Sequence, residues 1–470
     1  MSDRKELVVV GAGPGGYAAA FYAADLGMDV TLIDKEVNPG GVCLYRGCIP
    51  SKALLHVAKL LREAEEATNW GVDFGKPKID LDKLRAYKDS VVKKLTSGTG
   101  QLSKQRKINY IQGTAKFTGS NSLTVEKVDG TVENIEFAKS ILATGSIPSI
   151  IPGLPDSPKI WNSTDALNLE LIPKKLLVIG GGYIGLELGS VYASLRSKVT
   201  VVEMTKGLLP GADRDMVRVL QRSLENKFES ILLSTKVSDI TETKDGIKVK
   251  FEGSDNSSEE TFDRVLVSVG RRPVTEGLGL ENTNVQISDR GFVLIDEKCQ
   301  TNDPSIFAIG DIVGGAMLAH KASAEGKVAV DAIMGKKVAF EPNAIPAVVF
   351  TDPELAWAGL NETEAKEKGI KVEIARFPWG ASGRATTIDR NDGLTKLLID
   401  PETERIVGMG LVGAGTGEMI SEGVLAIEMA ALAKDVALSI HPHPTLSETI
   451  MEASEVFFGH STHLYRPKRK

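Results

Sequence analysis

Cysteine is scarce in this chain, with three thiols in 470 residues. So thin a supply excludes a secreted scaffold held by many bridges. Excess charge is scarce too: the formal net charge is −6, which gives no electrostatic reason to expect nucleic acid. No apolar run is long enough to span a bilayer. The chain opens Met-Ser-Asp-Arg-Lys-Glu and enters an apolar strand at once. That leaves no room for a signal or transit peptide and predicts a cytoplasmic protein without a membrane partner. The basic end Arg466-Pro467-Lys468-Arg469-Lys470 reads as a solvated tail. The remainder is ordinary globular composition, 42% hydrophobic and 25% charged, at a length that suggests about three domains.

Two of the three cysteines lie five apart, in Gly41-Val42-Cys43-Leu44-Tyr45-Arg46-Gly47-Cys48-Ile49-Pro50-Ser51-Lys52. On a straight helix such residues stand roughly 8–9 Å apart at Cα. A disulfide tolerates up to about 7 Å. The pair therefore closes only if the segment bends. Gly47 permits the bend, and Pro50 suits the first turn of a helix. From Ser51 the chain reads as that helix, with Leu54, Ala58 and Leu61 on one stripe. Cys48 then sits just ahead of a helix N-terminus, whose dipole favours a thiolate. A structural bridge over so short a loop would stabilise little, so the pair reads as a working redox couple. Cys299 has no partner nearby in sequence and reads as a small apolar residue.

The thiols follow a nucleotide-binding pattern. Leu7 to Val10 is an apolar strand, then Gly11-Ala12-Gly13-Pro14-Gly15-Gly16 opens an alanine-rich helix, and a second strand, Val30 to Ile33, ends at Asp34. Gly11, Gly13 and Gly16 allow a tight turn and close approach of a pyrophosphate, and the acid accepts from a ribose. The pattern recurs at Gly180, Gly182 and Gly185, with Glu203 closing the strand Val199 to Val202. Gly11 to Asp34 and Gly180 to Glu203 are both 23 residues apart. Two such units predict two dinucleotides. Glu203 would repel a 2′-phosphate, so the second site should take NAD rather than NADP. The first should hold FAD, because a dithiol has no hydride to give and a flavin can mediate. Three further strand-then-glycine segments follow, around Ala143-Thr144-Gly145, Ser268-Val269-Gly270 and Ile309-Gly310-Asp311. Asp311 is an acid after a buried strand and predicts a polar ligand.

From about Ala344 the chain becomes β-rich. A strand begins at Val348 to Phe350, others are expected at 372–377, 394–399 and 406–411, and helices near 361–368 and 416–433. The feature of interest is His441-Pro442-His443-Pro444-Thr445-Leu446-Ser447-Glu448. A histidine has the right pKa to carry the protons that accompany dithiol oxidation, and Glu448 is placed to orient it. Thr445 to Glu448 also fits a capping box opening a helix, and surface loop chemistry is the plain reading of the histidines. With no thiol or acidic cluster at ligand spacing, His441 and His443 predict no metal site.

Together these motifs resemble the disulfide-reductase flavoproteins, the class I pyridine nucleotide-disulfide oxidoreductases, and among them the dihydrolipoamide dehydrogenases. The resemblance covers essentially the whole chain. Gly40 to Lys52 and His441 to Glu448 are its most specific parts, joined by Arg271-Arg272-Pro273 and Met317 to Lys321. It implies an α/β fold of two Rossmann-like domains plus a C-terminal α+β dimerisation domain: FAD domain 1–150, NAD domain 151–272, a central domain 273–343 completing the FAD site, and a dimerisation domain 344–470. It implies that Cys43 exchanges with the lipoyl disulfide and that Cys48 contacts the flavin. Lys52 would lie near the flavin's reactive nitrogen, paired with Glu187. His443 would be the acid–base catalyst and Glu448 its partner, both from the opposite subunit of a homodimer. Ala115, Thr144, Gly145, Ser146, Asp311 and the turn Met317-Leu318-Ala319-His320 would contact FAD. Val237 and Gly270 would contact NAD. The implied reaction is oxidation of protein-bound dihydrolipoyl groups by NAD⁺. The implied partners are the lipoyl domains and acyltransferase core of 2-oxo acid dehydrogenase complexes.

Three positions depart from the pattern. Asp34 stands where glutamate is usual. Tyr183 resembles the gating tyrosine of glutathione reductases. Tyr45-Arg46 replaces smaller residues between the cysteines. The alternatives are a reductase of another disulfide, such as glutathione disulfide, against which Glu203 argues, and a non-enzymatic scaffold, against which the thiol pair argues. A mercuric reductase would need a C-terminal cysteine pair, and none follows Cys299.

Overall fold

A computed structural model describes residues 4–253 and 257–465, so the basic end at 466–470 lies outside the described residues. The first unit contains β1 (Lys5–Val10), α1 (Pro14–Asp25), β2 (Val30–Asp34), α2 (Gly41–Arg46), α3 (Cys48–Glu66) and α4 (Leu81–Gln105). The long strands β3 (Asn109–Gly119), β4 (Ser122–Lys127) and β5 (Val132–Leu142) complete it. One end of β3 runs parallel to β2, and one end of β5 runs parallel to β1. Their other ends fold with β4 into an antiparallel meander. Leu7, Val8, Val9, Leu32 and Ile141 are fully buried, as a parallel sheet covered on both faces requires.

The second unit repeats the plan. It comprises β6 (Ser146–Pro148), β7 (Ile160–Trp161), α5 (Ser163–Asn168), β8 (Lys175–Ile179), α6 (Tyr183–Ser194), β9 (Lys198–Val202), α7 (Arg214–Glu225) and β10 (Ser230–Leu232). The hairpin strands β11 (Lys236–Thr243), β12 (Gly246–Glu252) and β13 (Ser257–Phe262) precede β14 (Arg264–Val267). The sheet order is β10-β9-β8-β14-β7. The antiparallel meander enters between β10 and β14, just as in the first unit it lies between the parallel ends of β3 and β5. β15 (Arg271–Pro273) then pairs back with β6. β16 (Ile306–Ala308) joins the first sheet beside β5, and α8 (Ala319–Ile333) packs on α1.

The C-terminal part is an antiparallel sheet, β17 (Ala347–Val349), β18 (Glu354–Gly359), β19 (Glu373–Pro378), β20 (Leu394–Ile399) and β21 (Ile406–Gly413), in the order β17-β18-β21-β20-β19. Its helices are α9 (Glu362–Glu367), α10 (Gly383–Thr387), α11 (Thr416–Glu428), α12 (Ala433–Leu438) and α13 (Glu448–Phe457). The single helix expected over 416–433 is two. Ala430 takes φ +54°, which ends the first helix, and Ala431 accepts from the Ile406 N–H at 3.0 Å. Leu54 and Ala58 of α3, the second unit's strands, and Val349, Leu355 and Val412 share one hydrophobic core. A buried charge cluster ties the same parts. Lys396, with no exposed side chain, lies 2.7 Å from Asp213 and 2.9 Å from Asp215 and also pairs with Glu362. No described helix is long and apolar enough to cross a membrane.

Candidate active site

The bend expected between the cysteines is real. α2 ends at Arg46, Gly47 breaks the chain, and α3 begins at Cys48, three residues earlier than expected. Gly47 is needed for space: a Cβ there would lie 2.9 Å from the Val42 carbonyl oxygen. The structure holds both cysteines as free thiols. The Cys43 thiol bonds to Cys48, and that bond is the main reason the Cys48 thiol falls to about 7. Burial opposes the shift, the Lys52 charge assists it and Glu187 resists it. Cys43 moves the opposite way, pushed far up by the same hydrogen bond and by burial. The pair is polarised, with Cys48 the thiolate and Cys43 the protonated member.

Lys52, one turn along α3, donates to Glu187 Oε2 at 2.8 Å, and Ser51 Oγ donates to the same oxygen at 3.2 Å. Glu187 is 3% exposed and comes from α6 of the second unit. Its other oxygen accepts from the Phe350 N–H at 2.9 Å.

The two glycine loops superpose in logic. Gly11 takes φ +97° and Gly180 φ +111°, and a Cβ on Gly16 or Gly185 would strike the Gly11 or Gly180 carbonyl. Asp34 Oδ2 accepts from Ala12 N–H at 2.5 Å, and Glu203 Oε2 accepts from Gly181 N–H at 2.7 Å. Neither α1 nor α6 has a side-chain cap; Gly13 and Gly182 stand at their N-termini. Their first N–H groups are left for an anion.

A cavity of about 590 Å³ joins these features. Gly11, Gly13 and Asp34 line one part, and Cys43, Cys48, Lys52, Tyr183 and Glu187 another. Ala115, Thr144, Gly145, Ser146, Asp311, Met317 and Ala319 complete the walls. Gly16, Leu318 and His320 are not on its walls; His320 Nε2 lies 2.7 Å from the Pro346 carbonyl oxygen. Gly180, Gly182, Gly185, Glu203 and Gly270 lie outside the cavity too, and Val237 packs under the hairpin sheet.

Sequence reasoning missed Glu325 and gave Lys321 no role beyond its place in the Met317 to Lys321 motif. The Lys321 ammonium pairs with Glu325 at 2.5 Å, both nearly fully buried, and Glu325 accepts from Gly310 N–H at 2.7 Å. They hold the turn that presents Asp311. An acid and a lysine four apart in an alanine-rich helix were the available signal.

His443 and Glu448 do not reach this cavity in one chain. His443 Nδ1 lies 2.9 Å from Glu448 Oε1, and its side chain is 71% exposed. Burial pulls the Glu448 carboxyl up, but the Thr445 N–H and His443 hold it below its ordinary value. The capping box is half formed. Glu448 accepts from Thr445 N–H at 2.7 Å, while the Thr445 hydroxyl turns to Pro442. His441 is bound separately, to Glu422 at 2.8 Å. Among the described residues, the acids close enough to share a cation, Asp213, Asp215 and Glu362, already hold Lys396.

Residues 5–326 match the pyridine nucleotide-disulphide oxidoreductase model, and residues 345–454 match the dimerisation domain of the same group. The chain belongs to the pyridine nucleotide-disulphide oxidoreductase family. It is 49% identical to a dihydrolipoyl dehydrogenase of Vibrio cholerae over 99% of this chain and 98% of the relative. It is 44% identical to one of Geobacillus stearothermophilus, over 98% and 97%. Among solved structures, LpdA of Mycobacterium tuberculosis superposes with a TM-score of 0.89 at 26% identity, covering 96% of this chain and 99% of that one. The flavoprotein disulfide reductase RclA of Escherichia coli gives 0.84 at 27%, covering 95% and 98%.

An oxidoreductase of this family with FAD fits the cavity. The glycine cradle has no Cβ to fill it, the α1 N–H groups open onto it, and Asp34 at the end of β2 lines the same cavity, where it could accept from a ribose. The far wall carries the polarised thiols.

Proposed function

We propose that this oxidoreductase transfers two electrons from protein-bound dihydrolipoyl groups to NAD⁺, as the shared dehydrogenase component of 2-oxo acid dehydrogenase complexes. The observation that carries this reading is the polarised Cys43–Cys48 pair on the wall of a cavity that begins at a dinucleotide loop.

Gly11, Gly13, Asp34, Ala115, Thr144, Gly145, Ser146, Asp311 and the 317–320 turn would hold FAD. Bound flavin supplies what the thiols lack, the conversion of a dithiol's electron pair into a hydride for nicotinamide. The residues of the chain do the rest. A thiolate of the dihydrolipoyl group attacks Cys43 of the oxidised pair, and the Cys43–Cys48 bond breaks to leave Cys48 as thiolate. The second lipoyl sulfur then displaces Cys43, so the lipoyl disulfide forms as the protein disulfide is lost. Two electrons pass to NAD⁺, one proton is released, and the protein pair is oxidised again. Lys52, fixed by Glu187, stabilises the Cys48 thiolate. His443 takes the substrate thiol proton, with Glu448 holding its ring and balancing its charge.

In one chain His443 lies away from the thiols, so we place it in the partner subunit of a homodimer. The second loop, Gly180 to Gly185 with Glu203, would take NAD, with Val237 and Gly270 beside it. Tyr183 lines the cavity next to that loop and would gate nicotinamide. The division into 1–150, 151–272, 273–343 and 344–470 belongs to the same reading, supported by the β6–β15 pairing where the chain leaves and re-enters the first unit.

The test is a spectrophotometric assay with dihydrolipoamide and NAD⁺, run beside NADPH with glutathione disulfide. NADH formation with the first pair alone is expected. Activity with the second pair alone would overturn the substrate and the role of Glu203.

A further inference from the structure

Glu187 is the point where three parts of the chain meet. Lys52 and Ser51 reach it from the thiol helix, the carboxylate itself stands on α6, and the Phe350 N–H arrives from the first turn after β17 of the dimerisation domain. Phe350 makes a second contact. Its ring lies under the Lys52 ammonium, with Nζ 4.4 Å from the ring centroid. Lys52 is therefore held from two sides by groups of different kinds. One is a carboxylate oxygen at 2.8 Å, the other a π face. A lysine has four rotatable bonds and a strongly hydrated head. With 32% of its side chain exposed, one ion pair alone would leave the ammonium free to sample solvent.

We propose that Phe350 is a positioning residue for Lys52: its N–H fixes the Glu187 carboxylate and its ring fixes the ammonium, so that the seating of the dimerisation domain governs the reactivity of the thiol pair. This rests on the reading of Cys43 and Cys48 as the working redox couple.

The charged and titratable groups around Cys48 come from four elements. Cys43 stands on α2, Lys52 on α3, Tyr17 on α1, and Glu187 and Tyr183 on α6. Lys52 is the cation that favours the Cys48 thiolate, and Glu187 opposes it. If the ammonium drifts from the site, the opposing carboxylate stays, because Ser51 and the backbone still hold it. The field at Cys48 then turns against the thiolate.

The experiment follows the long-wavelength thiolate-to-flavin absorbance of the half-reduced holoenzyme as pH is lowered. In Phe350→Leu the midpoint for losing the band should move up by about half a pH unit, the size expected when a cation loses an aromatic face. Phe350→Tyr, which keeps the ring, should restore the wild-type midpoint. Lys52→Met should raise the midpoint itself and make Phe350→Leu silent when the two are combined. Should Phe350→Leu not fold, Phe350→Met, which fills the space without a π face, takes its place. An unmoved midpoint in the ring-less variant overturns the proposal, as does an equal shift in Phe350→Tyr. A wild type that shows no band at any pH overturns the redox-couple reading and takes this proposal with it.

Discussion

Lys52 and Glu187 form one ion pair, yet removing either should move the thiols in opposite directions. Lys52→Met deletes the cation that favours the Cys48 thiolate and leaves Glu187, which disfavours it. An opposite charge in close contact is worth about one to three pKa units. The lower end applies, because Lys52 is one-third exposed. Cys48 should then ionise about one unit higher than its present value of about 7. At pH 7.5 the thiolate share should fall from about three quarters to about one quarter. Glu187→Gln keeps the shape and the acceptor for the Ser51 hydroxyl but deletes the opposing charge, so Cys48 should ionise lower than in the wild type. The assay is the pH dependence of iodoacetamide alkylation of the reduced protein. Trypsin cleaves after Arg46 and Lys52 and so separates the two cysteines into different peptides. A shift of the same sign in both variants would refute the electrostatic reasoning, because a packing defect has no reason to respect the sign of the deleted charge.

Four further outcomes are expected. Glu203→Arg should shift the ratio of kcat/KM values from NAD towards NADP, measured with both nucleotides on one preparation; an unchanged ratio would place the specificity elsewhere. His443→Ala should slow dithiol turnover by about 10²–10⁴ while leaving flavin binding intact; a near-normal rate would leave Glu448 as no more than a helix cap. Lys396→Met leaves Asp213, Asp215 and Glu362 facing one another, with Arg376 still paired to the last two, and should cost about 3 kcal/mol in denaturant unfolding. Gly47→Ala puts a methyl group 2.9 Å from the Val42 carbonyl oxygen and should disturb the thiol spacing; a normal rate of disulfide closure would show that the segment relaxes.

Local chemistry was legible in the sequence wherever a residue type is demanded by backbone geometry. Gly11 and Gly180 sit in left-handed conformations beneath a neighbouring carbonyl, which no other residue tolerates, so the spacing from each glycine to its acid carried the fold of both units. The bend at Gly47 was legible on the second of these grounds alone, the lack of room for a Cβ beside the Val42 carbonyl oxygen. What stayed hidden was contact between distant segments. Nothing near Phe350 marks it as a neighbour of Lys52, 298 positions earlier, and the Lys321–Glu325 pair reads as an ordinary solvated helix pair until the fold buries it. The split of the helix at Ala430 was also hidden. Alanine favours helix, and only the bond that the next residue accepts from Ile406, at the start of β21, draws the chain out of it.

The two nucleotide units are built alike, and their difference fits the separate roles proposed for them. Both present bare helix N-termini and an acid bonded back to the glycine loop. The first is roofed over. α2 and α3 carry the thiols across one side, and the turn after β16, pinned by Glu325, closes the other. Its dinucleotide would lie in a cavity walled from two sides, where burial slows release. The second loop has no such roof: Gly180, Gly182, Glu203 and Gly270 lie outside the cavity, and space is open beyond Gly182. That openness suits the role proposed for the second loop, binding a co-substrate that must leave at every turnover. Tyr183 is the first residue of α6 and also part of the cavity wall. With Ile184 it belongs both to the open loop and to the cavity wall, and of the two it is the more exposed. That position makes Tyr183→Ala the variant that should separate nicotinamide access from thiol chemistry. KM for NAD⁺ should move while the rate of reduction of the Cys43–Cys48 pair by dihydrolipoamide stays, and a change confined to the thiol step would remove the tyrosine from the nicotinamide path.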